Sequence, residues 1–559
     1  MDLPSTPELA PLEDEKPKRD WRFWMIFVSI SMAMFLSALE LTAVSTALPS
    51  IVNALHGSQF IWISSAYTLC ATAFLPLAGG FAQVPSPHST ASGRVLTRSL
   101  QVFGRRPIML GAILVFAAGS AVCGAAKSMG ALIAGRGKCQ GLGGGGIAAL
   151  THIILSDLVP LQERGMFNGL IAMVYTMASG IGPVVGGSLA ERGNWRWIFY
   201  LNIPICGLAA ALVLVFLNLR TPAGTIQEKL RRIDWVGNVL VIAATTSCVI
   251  ALTWGGVQYA WNSAHILAPL ILGLLGIAAF MAYEVFVPKE PIVPYTLMMT
   301  LTGLSGYLQT FVLPLSLMNV IYYLPVYFQA CKDASPIASG VDVFGLAFSI
   351  APFAMIGGLT IAKSGRYRPQ IWFAWVLIMI GSGLLTTVNA DTSRARVIGF
   401  EIVAGAGLGI LMAATFFPVL APLPVSTNAL ALALFTFFRN FAQVWGVTIG
   451  GTVLQNELKK RLPPAFLSVF PQGTAVAYSV IPVIPSLDEP LRSEVRAAFA
   501  GALRVLWQVL IGFGGLGLLV SLGMKGLPLH TSVDRNWGLN EDGSKRQSPE
   551  SGSQEPKQV

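Results

Sequence analysis

Glu40 is an acidic residue inside an apolar segment, residues 24–47, that is long enough to cross a membrane. A carboxylate that faces lipid costs about 3 kcal/mol or more, so we expect Glu40 to face a cavity or a polar partner. A carboxyl group in such a place can take up and release protons near neutral pH, which makes Glu40 a candidate proton carrier. A structural polar contact between two helices is the alternative interpretation.

Arg136 and Gln140 lie in a second apolar segment, residues 132–155, and precede a glycine run at 141–146 that only Leu142 interrupts. An arginine keeps its charge inside a span, so Arg136 could stabilise a nearby carboxylate or hold a substrate anion. The glycines permit close approach of a neighbouring helix. They do not indicate a phosphate-binding loop, because no strand precedes them and no GKS or GKT follows.

A third pattern joins Gly182 and Pro183 to Gly186 and Gly187 within the apolar segment 167–189. Proline frees a backbone carbonyl, and glycine lets a neighbouring helix pack tightly. The combination predicts a helix that bends or rocks against its neighbours.

Other polar residues within spans are candidates for lining a substrate cavity. They are Thr42, Gln140 and Arg439. Glu401 lies near the opposite end of its predicted helix from Arg439, so we do not pair the two. No residues have the spacing of metal ligands, a Ser-His-Asp triad or a nucleotide site, so the sequence predicts no metal, no cofactor and no enzyme.

The elements that must position these residues are membrane helices. Of the 559 residues, 54% are hydrophobic and 11% are charged, whereas soluble domains carry about a quarter charged residues. The net charge of +10 comes from Lys and Arg in short loops between apolar segments, which is typical of membrane topology rather than of nucleic-acid binding.

The apolar segments predict fourteen transmembrane helices arranged as six, two and six. Basic residues are more numerous in the loops on the side of the termini, which places both termini in the cytoplasm. The predicted parts are a cytoplasmic tail at 1–22, a six-helix half at 23–217, an inserted helix pair at 218–290, a second half at 291–525 and a disordered tail at 526–559. Predicted spans include 60–82, 429–453 and 506–524, with a long outer loop from about 455 to 502. Such halves bind cargo at their interface and expose it to each side in turn.

The sequence resembles the fourteen-span drug:proton antiporter branch of the major facilitator superfamily in its fungal form. The resemblance extends over residues 21–539 and includes a first-span motif at 39–49, in which Glu40 stands where the branch usually has Asp. It also includes the exporter signature called motif C at 182–187, the stretch from Trp195 through Asn202 to Pro204, and the stretch from Phe438 to Gly450. This resemblance implies proton-coupled export in which Glu40 carries protons, Arg136 tunes it or contacts substrate, and the motif C helix rocks.

Motif A, the gating loop after the second span, departs from the family pattern. Its residues are Gly79, Gln83, Gly104, Arg105 and Arg106. Gln83 stands where the family has an acidic residue that holds one conformation through an ion pair. Residues 84–101 interrupt the motif, and removing them restores a continuous loop.

We interpret residues 84–101 as a translated, unspliced intron. Valine codons begin GT and a glutamine codon can end AG, so Val84 and Gln101 have suitable coding ends. Sequencing the transcript tests this hypothesis, and abundant messages that retain the segment would contradict it. In the fourth span, Arg136 and Gln140 are four positions apart where the family spacing is three, so we expect either a local bulge or a second annotation slip.

The sequence therefore predicts a proton-coupled exporter of small, amphipathic compounds, such as drugs, toxins or secondary metabolites. Its expected partners are the small-molecule substrate, protons and the lipid bilayer, with no nucleic acid, and we expect a monomer. We expect it in the plasma membrane, with the vacuolar membrane as the alternative. Two other functions fit the sequence: transport of basic amino acids or siderophores, and a membrane sensor that has lost transport.

Overall fold

The computed structural model describes residues 20–55, 61–73, 75, 105–218, 234–255, 259–287, 297–463 and 481–529. Within these ranges the chain is helical and has no β-strand, apart from one isolated bridge between Gly255 and Tyr259. The predicted insertion at 84–101 lies outside the described residues. So do most of the predicted N-terminal tail and most of the predicted C-terminal tail.

The helices are labelled in chain order. The first eight are α1 (Trp21–Leu55), α2 (Ile61–Ala73), α3 (Arg105–Gly124), α4 (Met129–Leu158), α5 (Leu161–Glu191), α6 (Trp197–Phe216), α7 (Trp235–Trp254) and α8 (Ala264–Phe286). The others are α9 (Leu301–Lys332), α10 (Ile337–Ser364), α11 (Arg368–Thr386), α12 (Arg394–Leu420), α13 (Asn428–Arg461) and α14 (Leu491–Leu522).

Within the described ranges, 13 helices are long and apolar enough to cross a membrane. The helix not counted is α2, of which 13 residues are described and which was predicted as the span 60–82. Many large apolar side chains on the outer faces are exposed, as a lipid-facing surface requires. The prediction of an all-helical membrane fold is confirmed at this level.

The helices pack as two groups, called here the N-terminal half (α1–α6) and the C-terminal half (α9–α14). The helix α5 joins them, because it packs along α1 in its own half and along α10 in the other. The inserted pair, α7 and α8, pack together, and α7 also contacts α2 and α13. The pair therefore borders both halves.

Two helix boundaries next to the predicted outer loop, residues 455–502, were wrong. The helix α13 continues to Arg461 instead of ending at 453, and α14 begins at Leu491 instead of 506. Ion pairs support both extensions: Glu457 pairs with Arg461 at 3.0 Å, and Arg492 pairs with Asp333 at 2.6 Å. Apolar composition marks the membrane boundary, whereas backbone hydrogen bonding continues the helix into a charged, solvated turn.

Asp333 connects the end of α9 to the beginning of α14. It has a left-handed backbone conformation with φ of 50°, and it accepts hydrogen bonds from Arg492 and Arg496. Partial burial opposes its charge, but the two guanidinium groups outweigh that effect and lower the pKa of Asp333. This contact fastens α14 to α9 beyond the apolar part of the helices.

Candidate functional site

Glu40 and Arg136 form an ion pair inside the N-terminal half. Arg136 Nη1 on α4 donates to Glu40 Oε1 on α1 at 2.6 Å, and both side chains are completely buried. Removing two charges from water costs several kcal/mol per ion, so such a pair persists only when hydrogen bonds satisfy its other atoms. The structure therefore brings together the two residues that the sequence proposed for proton coupling.

Polar and aromatic groups from two further helices complete the cluster. Asn202, in α6, donates its amide Nδ2 to Glu40 Oε2. Arg136 Nε donates to the carbonyl of Ile63 in α2. The Arg136 guanidinium also lies 5.5 Å from the ring centroid of Tyr67 and 5.9 Å from that of Phe199. One acid–base pair thus connects α1, α2, α4 and α6.

The extra residue between Arg136 and Gln140 is absorbed by a bulge. Residues Gly135–Gly141 form a π-helical turn, with α-helix before and after it. A π-turn accommodates one additional residue without changing the rotation of the flanking α-helix, and such turns occur often at functional sites. The wider turn places Arg136 against Glu40 while Gln140 donates to Ser120 at 2.8 Å.

Deleting Lys138 should convert the π-turn into regular α-helix. Lys138 is the exposed residue of the turn, so its deletion also removes a charge from the surface of a membrane helix. We expect the variant to fold with an unchanged or higher melting temperature and to keep its transport activity. The measurement is a thermal melt of detergent-purified protein, with Lys138→Ala as the control that keeps the extra residue. If the deletion variant failed to fold while Lys138→Ala folded normally, the interpretation of the π-turn as one extra residue would be contradicted.

Thr42 and Gln140, two residues proposed for the substrate cavity, make hydrogen bonds within the N-terminal half. Thr42 donates its hydroxyl to the carbonyls of Ala38 and Leu39 in its own helix, at 3.1 and 3.3 Å. Gln140 is completely buried within the N-terminal half, in contact with Ser120 and within 3.6 Å of the Cys123 sulfur. In this conformation both residues therefore belong to the packing around the ion pair.

The motif C helix, α5, approaches α1 at the level of Glu40. A Cβ atom on Gly182 would lie 3.0 Å from the backbone nitrogen of Ala43 and 3.1 Å from the carbonyl oxygen of Leu39, and would collide with Thr42 Oγ1. Only glycine permits this approach, which brings the backbone of α5 against the turn of α1 that carries Glu40. Near the C-terminal end of the same helix, Gly187 faces Ile337 of the C-terminal half, from which a Cβ would be 3.7 Å away.

Replacing Gly182 by alanine should separate α1 from α5. Overpacking of this kind costs about 1–3 kcal/mol, so we expect a lower melting temperature and slower transport. Gly180→Ala is the matched control on the same helix, because its Cβ would meet only Phe344 at an ordinary 3.5 Å. Equal effects of the two substitutions on melting temperature and on transport would contradict a special role for Gly182.

Motif A is described only in part. Gly79, Gln83 and Gly104 lie outside the described residues. Arg105 is buried, and its Nε donates to Asp157 Oδ2 at 2.9 Å, while Arg106 donates to the carbonyl of Leu214 in α6. An acid from the end of α4 therefore pairs with this motif, a partner that the sequence analysis had not assigned.

The two halves meet closely at the end of the bundle that carries Asp157. A Cβ on Gly165 of α5 would lie 3.0 Å from the Cα of Gly358 on α10. Close by, Gln162 Nε2 donates to the carbonyl of Ala362 at 2.9 Å. Backbone contact of this kind leaves no room for cargo, so the space between the halves is closed at this end.

Arg439 lies on α13, where the two halves face each other. Its side chain is partly exposed, and its guanidinium carbon is 5.8 Å from the ring centroid of Phe435. Glu401 is elsewhere, buried against α10, where a Cβ on Gly345 would lie 3.3 Å from its Oε2 atom. No ion pair forms between Arg439 and Glu401.

Two groups of apolar helices that meet along α5 and α10, with a buried acid–base pair in one group, have the arrangement of membrane transporters built from repeats. A sequence profile of the Major Facilitator Superfamily matches residues 30–447. The chain belongs to this superfamily, and the prediction of a membrane transporter rather than an enzyme is confirmed.

Relatives of known name support the same family. The chain is 38% identical to "Efflux pump FUS6" of Gibberella moniliformis, over 97% of this chain and 94% of that protein. It is also 38% identical to "MFS-type efflux pump MMF1" of Pseudozyma antarctica, over 95% and 96%. Among solved structures, the proton:xylose symporter XylE aligns with a TM-score of 0.55 over 90% of this chain and 97% of that one, at 13% identity. That likeness shows the fold alone.

Proposed function

We propose that this protein exports small, amphipathic compounds in exchange for protons. The observation that carries the proposal is the buried Glu40–Arg136 pair, with Asn202 as a second partner of the carboxylate. This chain aligns with two relatives over nearly their whole length, and both are named as efflux pumps. They support export as the direction of transport. Proton binding to Glu40 would neutralise the carboxylate and weaken its attraction for Arg136, and proton release would restore it.

The contacts around Glu40 suggest how protonation moves the halves. The turn of α1 that contains Glu40 touches α5 at Gly182, and α5 packs along α10 of the other half. A change in the position of Glu40 therefore has a short, closely packed route to the interface between the halves. We infer that the neutral and charged forms of Glu40 favour different arrangements of α5 against α10.

The proposal includes a membrane topology. Fourteen spans with both termini in the cytoplasm place the closed end, where Gly165 meets Gly358, on the cytoplasmic side. The structure would then correspond to a conformation that is shut toward the cytoplasm. We place the protein in the plasma membrane, because export of a compound from the cell requires that membrane. We also propose that it acts as a monomer.

The test uses purified full-length protein in lipid vesicles and three naphthalene probes of similar size. The probes are 2-naphthalenesulfonate, which is always anionic, the neutral 2-naphthalenesulfonamide, and the cationic 2-naphthylmethyl-trimethylammonium. An acidic lumen should drive uptake of at least one probe above the level of protein-free vesicles, because protons leave as the probe enters. Absence of pH-dependent uptake for all three would contradict the proposal and favour the sensor.

A further inference from the structure

Arg439, which is only partly exposed, lacks the kind of partner that three buried arginines of the described residues have. Arg105 pairs with Asp157, Arg136 pairs with Glu40, and Arg164 donates to two backbone carbonyls. Among the described residues, Arg439 has no ion pair and no hydrogen bond, and its Nη2 atom is buried without a partner. A guanidinium cannot release its proton to avoid this cost, so its charge calls for an external partner.

Among the described residues, the titratable groups that interact electrostatically with Arg439 lie in the N-terminal half, and none of them is acidic. Tyr175 of α5 and His152 of α4 lie within electrostatic reach of Arg439, and Tyr322 of α9 is near Tyr175. Tyr322 is 43% exposed, and Tyr175 and His152 are partly exposed, so part of each of these residues borders open space. His152 Nδ1 is 3.3 Å from Asn168 Oδ1, an interaction that orients the ring.

Aromatic rings adjoin this polar cluster. Phe416 stacks on Phe435 with centroids 4.2 Å apart, and the His152 ring is 5.2 Å from Phe416. Phe435 is also the ring over which the Arg439 guanidinium lies. A planar apolar body can pack beside such rings while its polar end reaches Arg439.

We propose that Arg439, with the hydroxyls of Tyr175 and Tyr322, binds the acidic group of an organic anion with a planar apolar body. The inference rests on the proposed export function and specifies its substrate class. The cargo supplies the negative charge that the cluster lacks, and the donors of Arg439 satisfy its oxygens. A cationic cargo would meet an uncompensated positive charge instead, so the same arrangement selects against cations.

The charge of the cargo has a consequence for transport. If one proton exchanges for one molecule, an anion moves two charges across the membrane, a neutral compound one and a cation none. Uptake of the sulfonate into vesicles should therefore respond to membrane potential more steeply than uptake of the sulfonamide. Both probes share the naphthalene ring, so the comparison isolates the charge.

Binding of the sulfonate and the sulfonamide to detergent-purified protein, measured by isothermal titration calorimetry, tests the inference. The wild-type protein should bind the sulfonate at least about tenfold more tightly than the sulfonamide. This ratio of affinities corresponds to one hydrogen bond to a charged group. Arg439→Gln should remove this preference, and Arg439→Lys should keep part of it, because the charge remains without the planar fork. Arg396→Gln, at an exposed arginine of the same half, should keep all of it.

A wild-type protein without preference for the sulfonate would overturn the inference, and this result needs no variant. Retention of the full preference in Arg439→Gln would overturn it as well. These failures are distinct from failure of the proposed function. If pH-driven uptake persists for the neutral or cationic probe but not for the sulfonate, export stands and the anion site is wrong.

Discussion

Vesicles that contain the Glu40→Gln variant are expected to show no probe uptake above protein-free vesicles when the lumen is acidic. The amide has nearly the shape of the acid but cannot exchange a proton in this pH range, so the coupling step is lost while the volume is retained. Glu40→Asp keeps an ionisable carboxyl group and should retain part of the uptake. The measurement is the initial rate of uptake of the three naphthalene probes, with equal amounts of folded protein confirmed by gel filtration.

Glu284→Gln is the matched control for this experiment. Glu284 is also a buried acid within a span, but it lies on α8 of the inserted pair, away from the Glu40 cluster. Its substitution should leave pH-driven uptake unchanged. If Glu40→Gln transported as well as Glu284→Gln, the proton site would have to be sought elsewhere.

Arg136→Gln is expected to destabilise the protein strongly, because it leaves the Glu40 carboxylate buried without its cation. Breaking one partner of a buried pair costs about 3–5 kcal/mol. The double variant Glu40→Gln/Arg136→Gln should regain most of that loss, since two amides can hydrogen-bond to each other and neither carries a charge. It should remain inactive in pH-driven uptake, because stability is restored but the titratable group is not.

The unfolding free energies of the wild type, both single variants and the double variant form a double-mutant cycle. Denaturation in mixed micelles of detergent and dodecyl sulfate, followed by tryptophan fluorescence, gives the four values. A cycle on Glu284 and Arg136, which lie on different helix groups, is the control and should be additive. Additive losses for Glu40 and Arg136 would contradict the ion pair as the link between α1 and α4.

The energy available for transport is adequate for an exchanger with a single acid. One elementary charge that crosses a potential of 100 mV releases about 2.3 kcal/mol. Since about 1.4 kcal/mol corresponds to a tenfold ratio, one proton can sustain a cargo gradient of several tens-fold. A second buried acid in the described part of the site is therefore not required by the energetics.

Sequence reasoning named the central residues because their types are out of place in apolar spans. Glu40 and Arg136 stand out as charges in helices, and the family resemblance suggested that they act together. Sequence reasoning did not identify Asn202 as a partner of Glu40, because 162 residues separate the two. An uncharged amide near the end of a span is also common and does not by itself indicate a partner for a buried charge. An uncharged polar residue that follows an aromatic motif at the start of a span is the available signal.

Other features depend on geometry that the sequence does not carry. The four-residue spacing of Arg136 and Gln140 indicated an extra residue, but only backbone hydrogen bonding distinguishes a π-turn from a rotated helix. The sequence identified Arg439 as a candidate for lining a substrate cavity. Its lack of a hydrogen-bond partner depends on which side chains the neighbouring helices place beside it, and the sequence does not show this. The start of α14 was missed because charged turns extend a helix beyond the apolar segment that hydropathy detects.

The central claim is that Glu40 couples the movement of protons to the movement of cargo. The most direct test is to measure proton movement that is driven only by a gradient of cargo. Vesicles loaded with the naphthalene probes and a luminal pH dye are diluted into probe-free buffer of the same pH, with the potential clamped by potassium and valinomycin. We predict that the lumen acidifies as a probe leaves through the wild-type protein, and that Glu40→Gln gives no pH change. Probe efflux through the wild-type protein with a constant luminal pH would contradict the account.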